Sequence, residues 1–154
     1  MTHIRPAILK DVPALAHLLA QLFSQEAEFA PDLAAQARGL SLIIGEPNTG
    51  RILIAERDGK PVGMVNLLYT VSTALGERGA ILEDMVVDKT CRGGGIGAML
   101  LAKAIEAARA DGCRRITLLS DHDNHRAHAF YGRFGFQRSA MVPFRLALER
   151  SVIV

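Results

Sequence analysis

The chain has 154 residues, of which 49% are hydrophobic and 22% are charged. This balance is typical of a globular domain and excludes a disordered tail, a collagen-like repeat and a coiled-coil rod. Lys and Arg number 18 against 16 acidic residues, so the net charge is only +2. Because no basic run stands out, nucleic acid is not an expected partner. The length predicts one domain spanning residues 1–154, and an anionic ligand would need a local basic site.

The cysteines and the N-terminus predict where the protein resides. Cys91 and Cys113 are too few for a disulfide framework and form no CxxC pair. No apolar signal segment opens the chain, and no apolar run reaches the roughly 20 residues that a membrane-spanning helix needs. We therefore expect a cytoplasmic protein with no membrane partner.

The first third of the chain predicts a strand followed by two helices. The strand is expected at 3–8, and Asp11 and Pro13 suit the start of a helix. Its apolar residues recur at helical spacing: Leu15, Leu18, Leu19, Leu22 and Phe23. A second helix is predicted from Pro31–Asp32, with an apolar side formed by Leu33, Ala37, Leu40 and Ile44, before a loop at 45–50.

The rest of the chain predicts strands interrupted by two helices. Strands are expected at 52–55, 62–71, 80–87 and 116–119, with Asp58-Gly59 as a hairpin turn and a polar turn at 75–79. One helix carries Met99, Leu100 and Ala108 and stops at Gly112, and a short one covers 126–134 and ends at Gly135. A final strand pair is predicted from Phe136 onward.

This order, β-α-α-β-β-β-α-β-α-β-β, predicts a mixed α/β fold with helices flanking the central sheet. The strand–helix–strand unit implies one parallel pair, and the hairpins imply that the remainder of the sheet is antiparallel.

Four glycines and an arginine mark the segment between the strand at 80–87 and the following helix. Gly93, Gly94, Gly95 and Gly97 permit positive φ and close approach of a ligand to the backbone. Successive N–H groups and the helix dipole then favour an anion, and Arg92 adds a forked positive charge. The segment predicts a pyrophosphate-binding loop. A dinucleotide fingerprint is formally present, but five residues, 88–92, separate the strand from the first glycine. A P-loop is excluded because no Gly-Lys-Ser/Thr follows.

Two blocks resemble one known family. Arg92-Gly93-Gly94-Gly95-Ile96-Gly97 is similar to the R/Q-x-x-G-x-G/A signature of the GNAT superfamily of N-acetyltransferases. Asn124-x-x-Ala127-x-x-Phe130-Tyr131-x-x-x-Gly135-Phe136 resembles that family's N-x-x-A-x-x-F-Y-x-x-x-G-F block. The resemblance implies the GNAT fold, acetyl-CoA as co-substrate without a metal, and acetyl transfer to a primary amine of a small molecule. Diamine and aminoalkylphosphonate acetyltransferases are the members most resembled.

The resemblance also implies residue roles. An alkylamine with a pKa near ~10.4 is protonated at neutral pH, so a carboxylate must accept its proton. Glu83 is the expected base, with Asp84 or a histidine as the alternative. Strand alternation would place Glu83 and Asp84 on opposite sheet faces, so at most one of them directly faces the site. The resemblance also makes Asp84 a candidate substrate contact. Tyr131 is the expected proton donor to the leaving thiolate. The expected acetyl-CoA contacts are Met85, Val86, Val87, Arg92, Gly93, Gly94, Gly95, Ile96, Gly97, Ala98, Asn124 and Tyr131.

The acceptor side leaves alternatives open. Glu26 and Glu28 could attract a cationic amine, whereas Arg145 suits an anionic acceptor. Within the cluster of His122, His125 and His128, His125 is a candidate substrate contact or alternative base.

Cys91 lies on the phosphate side of the expected site, so no cysteine is placed to carry the acetyl group covalently. We therefore expect the amine to attack acetyl-CoA directly in a ternary complex. The alternatives are a non-catalytic acyl-CoA-binding module and a protein or peptide N-acetyltransferase, and the expected assembly is a homodimer.

Overall fold

The computed structural model describes residues 1–26 and 30–150. The chain forms two compact units, 1–122 and the residues from 123 onward. The first unit contains one five-stranded sheet in the order β1-β2-β3-β4-β5, with neighbours antiparallel except for the parallel pair β4–β5. The strands are β1 Thr2–Pro6, β2 Gly50–Arg57, β3 Lys60–Ser72, β4 Glu77–Val87 and β5 Cys113–Leu118. The predicted mixed sheet, with one parallel pair, is confirmed.

Two helices cover one face of this sheet. They are α1 Val12–Phe23 and α2 Leu33–Gly45. As the helical spacing predicts, Leu15, Leu18 and Leu19 of α1 are buried, and they join a core that also includes Leu40, Ile54, Met64 and Val86. In α2 the predicted apolar side is correct for Leu40 but wrong for Leu33, which is 44% exposed at the first turn.

Asp11 sits at the start of α1 but does not cap it with its side chain. Its carboxylate instead accepts hydrogen bonds from both terminal nitrogens of Arg5, each at 2.9 Å, and from the N–H of Ile8 at 2.8 Å. The charge-assisted bonds are stronger than a neutral cap. They stabilise a short 3-10 turn, Leu9–Asp11, so β1 ends at Pro6 rather than at the predicted Ile8.

The third helix, α3 Ile96–Ala110, packs close to β3. A Cβ placed on Gly63 would lie 3.0 Å from Leu100 Cδ1 and 3.4 Å from Ile96 Cγ2, so this close approach favours glycine. At the other end of the helix, Arg51 of β2 holds Asp111 through an ion pair of 2.9 Å. Packing against Gly63 near its N-terminal end and the ion pair at its C-terminal end together fix α3 relative to the sheet.

The second unit begins with α4 His125–Gly132, whose first turn is capped by Asn124: its side-chain oxygen accepts the N–H of Ala127 at 3.1 Å. The predicted final strand pair is wrong, because no strand occurs at 136–150. The apolar residues there do alternate, yet Val142, Phe144, Leu146 and Leu148 are 70%, 94%, 85% and 85% exposed. A strand needs a neighbour for its hydrogen bonds, and none of the described strands pairs with this segment.

Across residues 1–26 and 30–150, no helix has both the length and the hydropathy to cross a membrane.

Candidate active site

β4 carries a β-bulge at the predicted base. Asn66 of β3 pairs with Asp84 and Leu67 pairs with Leu82, so Glu83 is the extra residue with no partner on β3. Simple alternation therefore fails at this point of the strand. The Glu83 side chain is exposed, whereas Asp84 is partly buried on the same face as the core residue Val86.

Asp84 carries a carboxyl group whose pKa is shifted by its surroundings. Burial raises the pKa of Asp84 to about 6; the Asn66 amide nitrogen, which donates to Oδ2 at 3.1 Å, opposes this rise, and the charge of Glu83 adds to it. A carboxyl group with this pKa exchanges a proton readily near neutral pH.

The bulge also lies at the point beyond which β4 extends past the end of its parallel neighbour β5. Pairing with β5 reaches Leu82–Leu118, while β4 continues to Val87. The residues expected to contact acetyl-CoA through their backbone, Met85 to Val87, lie on this extension. A strand edge beyond its partner is where an extended ligand can approach main-chain groups.

The loop after β4 is tied to the first helix. Asp88 accepts the backbone N–H of Thr90 at 2.9 Å and its hydroxyl at 2.7 Å, and these bonds hold the pKa of Asp88 below its usual range. Gln21 of α1 accepts the N–H of Lys89 at 3.0 Å and donates to Asp88 at 3.3 Å. The approach to the glycine segment is therefore fixed from two sides.

The glycine segment has the geometry that an anion requires. Gly93 and Gly95 have φ of +87° and +80°, and a Cβ on either would meet no heavy atom within 4 Å, so open space lies in front of both. Gly95 is the N-cap of α3, where no side chain caps the helix and no acid occupies the first turn. The first-turn N–H groups have no helical acceptors and suit a phosphate group.

Two arginines border this segment, and sequence analysis identified only one of them. Arg92 is anchored by its Nε, which donates to the Val87 carbonyl at 3.1 Å, with the side chain exposed. Arg57 comes from β2, and its Nη2 lies 4.0 Å from the position of a Cβ on Gly94. No sequence signal marks Arg57, because only sheet pairing brings the end of β2 beside the glycines.

The other predicted site residues fall elsewhere in the chain. Asn124, His125 and Tyr131 lie on or at the start of α4 in the second unit. Tyr131 contacts the rings of Phe130 and Phe136, with centroids 5.3 and 5.6 Å away, and burial raises the pKa of Tyr131 to about 12.

The His125 and His128 rings meet edge to face at 5.9 Å, and in the described parts of the chain no group of His, Cys, Asp or Glu could hold a metal ion. Glu26 follows α1 and is partly buried, while Glu28 lies outside the described residues.

Comparison with known proteins identifies the family. The model of the acetyltransferase (GNAT) family matches residues 13–136. The chain belongs to the GNAT family. Within this family, an uncharacterized N-acetyltransferase YhfO of Bacillus subtilis is 33% identical over 138 residues, which cover 88% of this chain and 89% of the relative. An aminoalkylphosphonate N-acetyltransferase of Salmonella typhimurium is 29% identical over 136 residues, covering 88% and 85% of the two chains.

A solved structure shares the fold of this chain. The integron cassette protein HFX_CASS3, from the mobile metagenome of Cole Harbour Salt Marsh, superposes with a TM-score of 0.82 at 28% identity. The match covers 96% of this chain and 91% of that protein. The fold and the general activity, N-acetyl transfer, are therefore those expected from the two sequence blocks.

Proposed function

We propose that this N-acetyltransferase uses acetyl-CoA to acetylate a primary amine of a small molecule, by direct attack in a ternary complex. The observation that carries the proposal is the continuity of β4. One strand bears the bulged Glu83 and the perturbed Asp84, and then leads through a fixed loop to the open glycine segment. Proton transfer and pyrophosphate binding are thus served by one continuous segment.

The residues present fit acetyl-CoA. The N–H groups from Gly93 to Ala98 and the Arg92 side chain would hold its pyrophosphate, and Arg57 adds a second cation. The backbone of 85–87 and the Asn124 side chain would hold the pantetheine arm. Acetyl-CoA supplies the activated acetyl group, and the remaining steps depend on side chains of this chain.

The proton steps divide between two residues. Glu83 accepts the proton that the ammonium form of the amine must lose. Asp84, Glu26 and His125 contact the acceptor, with the two carboxylates favouring a cationic group. Tyr131 delivers a proton to the departing sulfur. A phenol with the ordinary tyrosine pKa of about 10 is already protonated at neutral pH, and burial raises the pKa of Tyr131 further. We place this reaction in the cytoplasm, which suits the free thiols of Cys91 and Cys113.

Thiol release from acetyl-CoA tests the proposal when it is measured with polyamines, aminophosphonates, amino acids, aminoglycosides and lysine peptides. Release with one class of small amine is the expected result. Preference for the peptides would favour a protein N-acetyltransferase. Tight CoA binding without release for any amine would favour a non-catalytic acyl-CoA-binding module.

Arg92→Ala and Arg57→Ala should each weaken CoA binding by at least about 10-fold, because a charge-assisted hydrogen bond to phosphate contributes roughly 1.5–3 kcal/mol. Calorimetric titration with CoA measures the effect. Arg38→Ala, which removes an exposed arginine from α2, is the matched control and should leave the affinity unchanged. Equal affinity in Arg92→Ala would contradict its place in the anion site.

Tyr131→Phe should lower kcat by at least about 10-fold, the lower end of general-acid effects. The other tyrosine provides the control: Tyr69 hydrogen-bonds Asp111, so Tyr69→Phe should alter stability more than turnover. Steady-state rates of thiol release measure both variants. Unchanged turnover in Tyr131→Phe would exclude the role of proton donor.

The expected homodimer is supported by the segment 142–148. Its alternating apolar side chains are 70–94% exposed, and a self-complementary interface with a second copy would cover them. Phe144→Asp should make the protein monomeric, whereas Leu42→Asp, at an exposed leucine of α2, should leave it dimeric. Sedimentation equilibrium measures the mass, and a wild-type monomer at all concentrations would contradict the homodimer.

A further inference from the structure

A buried hydrogen-bond acceptor without a donor lies next to Asp84. Asn66 is 3% exposed, and its amide nitrogen donates to Asp84 Oδ2 at 3.1 Å. Its amide oxygen, Oδ1, has no hydrogen-bond partner among the residues that the structure describes. Native proteins leave few such atoms, because an unsatisfied buried acceptor carries the full cost of desolvation. The atom therefore indicates a donor that a ligand brings.

Asn66 and Asp84 are placed to serve the same ligand group. They are direct cross-strand partners on β3 and β4, a relation that holds side chains about 4.5–5.5 Å apart at Cβ. They lie on the face of Met64 and Val86, which α1 and α2 cover. Asp84 is partly exposed whereas Asn66 is buried, so the pair extends from an accessible carboxylate to an inner amide.

The orientation of the Asn66 amide is set by the charge of its neighbour. At neutral pH the Asp84 carboxylate, with a pKa of about 6, is mostly ionised and can only accept hydrogen bonds. The amide nitrogen must then face Asp84, and Oδ1 must point away from it. Rotating the amide would set two acceptors against each other.

The pair offers negative charge and acceptor atoms, so a fitting ligand must be cationic and must carry several donors. A primary ammonium group has three N–H donors on one charged nitrogen. We propose that Asn66 Oδ1 and the Asp84 carboxylate together bind the ammonium group of the acetyl acceptor, with Asn66 determining specificity for primary amines. This inference rests on the proposed function. Glu83, which is exposed, is the neighbour of Asp84 in the sequence. The proposed binding mode therefore places a proton acceptor close to the bound amine nitrogen.

Asn66→Leu tests the pair, because leucine has a similar volume and no polar atom. The probes are n-butylammonium and trimethyl-n-butylammonium, which has no N–H donor, titrated calorimetrically into the CoA-bound protein. We expect n-butylammonium to bind at least about 10-fold more weakly to the variant, with binding of the quaternary probe unchanged. The KM for the best amine substrate should rise by the same factor, with kcat nearly unchanged.

Asn48→Leu, in the loop before β2, is the matched control and should behave as wild type. Asn66→Thr guards against a merely structural role, because its hydroxyl can donate to Asp84 and still accept a hydrogen bond from an ammonium group. We expect this variant to bind n-butylammonium more tightly than Asn66→Leu. Loss of binding in both Asn66 variants would show that packing is responsible and would overturn the proposal.

Two further results would overturn it: no binding of n-butylammonium to wild type, or equal binding to wild type and Asn66→Leu, as expected if a water satisfies Oδ1. Its failure is distinguishable from failure of the proposed function. Amine acetylation that does not respond to Asn66→Leu removes the inference alone. Asn66-dependent ammonium binding without acetylation of any amine removes the proposed function alone.

Discussion

Gly95→Val is expected to reduce CoA affinity by at least about 100-fold, because it damages the anion site in two ways. Gly95 has φ of +80°, a conformation that costs a β-branched residue roughly 1–3 kcal/mol. The new side chain would also project into the open space before the first turn of α3. Misaligning two N–H groups that each contribute roughly 1.5–3 kcal/mol accounts for the loss.

Gly39→Val is the matched control, since it makes the same substitution in α2, at a position without positive φ and with no atom within 4 Å of an added Cβ. We expect its CoA affinity to equal that of wild type. Calorimetric titration of both variants with CoA, together with a thermal unfolding curve for each, separates loss of binding from loss of folding. A folded Gly95→Val protein with wild-type affinity would contradict the proposed pyrophosphate site.

Asp84→Asn is expected to stabilise the protein at neutral pH while impairing amine acetylation by at least about 10-fold, because it removes the carboxylate proposed to bind the ammonium group of the acceptor. In the folded state the pKa of Asp84 is raised from 3.8 to about 6, so the folded state binds more protons than the unfolded state in this interval. The free energy of unfolding of wild type therefore falls as pH rises from about 4 to about 6. Because Asp84 is partly exposed and solvent screens its charge, we expect this loss in the free energy of unfolding to be about 2 kcal/mol.

Asparagine carries no charge and can still accept the hydrogen bond of Asn66. The Asp84→Asn variant should therefore gain about 2 kcal/mol over wild type near pH 7.5, a Tm higher by roughly 4–8 °C, and gain nothing near pH 4. Asp58→Asn is the control: it makes the same substitution at an exposed hairpin turn, and it should cause no pH-dependent change in stability. A Tm difference that does not depend on pH would exclude the buried carboxylate as its cause.

Hydrophobic periodicity and turn chemistry predicted most of the first unit. The spacing of Leu15, Leu18 and Leu19 identified the buried side of α1. Asp58 and Gly59, with φ of +52° and +76°, form the hairpin turn that their sequence predicts. Such features depend on neighbours along the chain, and local sequence therefore contains the information.

Cross-strand relations were not predictable in the same way. Alternation along β4 cannot reveal the bulge at Glu83, because a bulge is defined against the partner strand. Asn66 had one signal, a single amide within the apolar run from Met64 to Leu68, but the sequence does not indicate its partner. Arg57 reaches the glycine segment only because β2 lies beside β3 in the sheet.

A final strand pair is predicted from Phe136 onward, and the described residues 136–150 contain no strand, although the apolar residues at 142–148 alternate. Periodicity shows that a segment can present one apolar face, but it does not show what pairs with that segment. In the proposed dimer, a second copy covers the face that one chain leaves exposed.

In the proposed reaction this chain transfers an acetyl group from acetyl-CoA directly to a small amine. The most direct test is the stoichiometry and rate pattern of amide formation with the best amine of the panel. We expect one N-acetyl product for each CoA thiol released, with initial-rate lines that intersect when both substrates are varied. Parallel lines would contradict direct attack in a ternary complex, and CoA binding without amide from any amine would contradict catalysis itself.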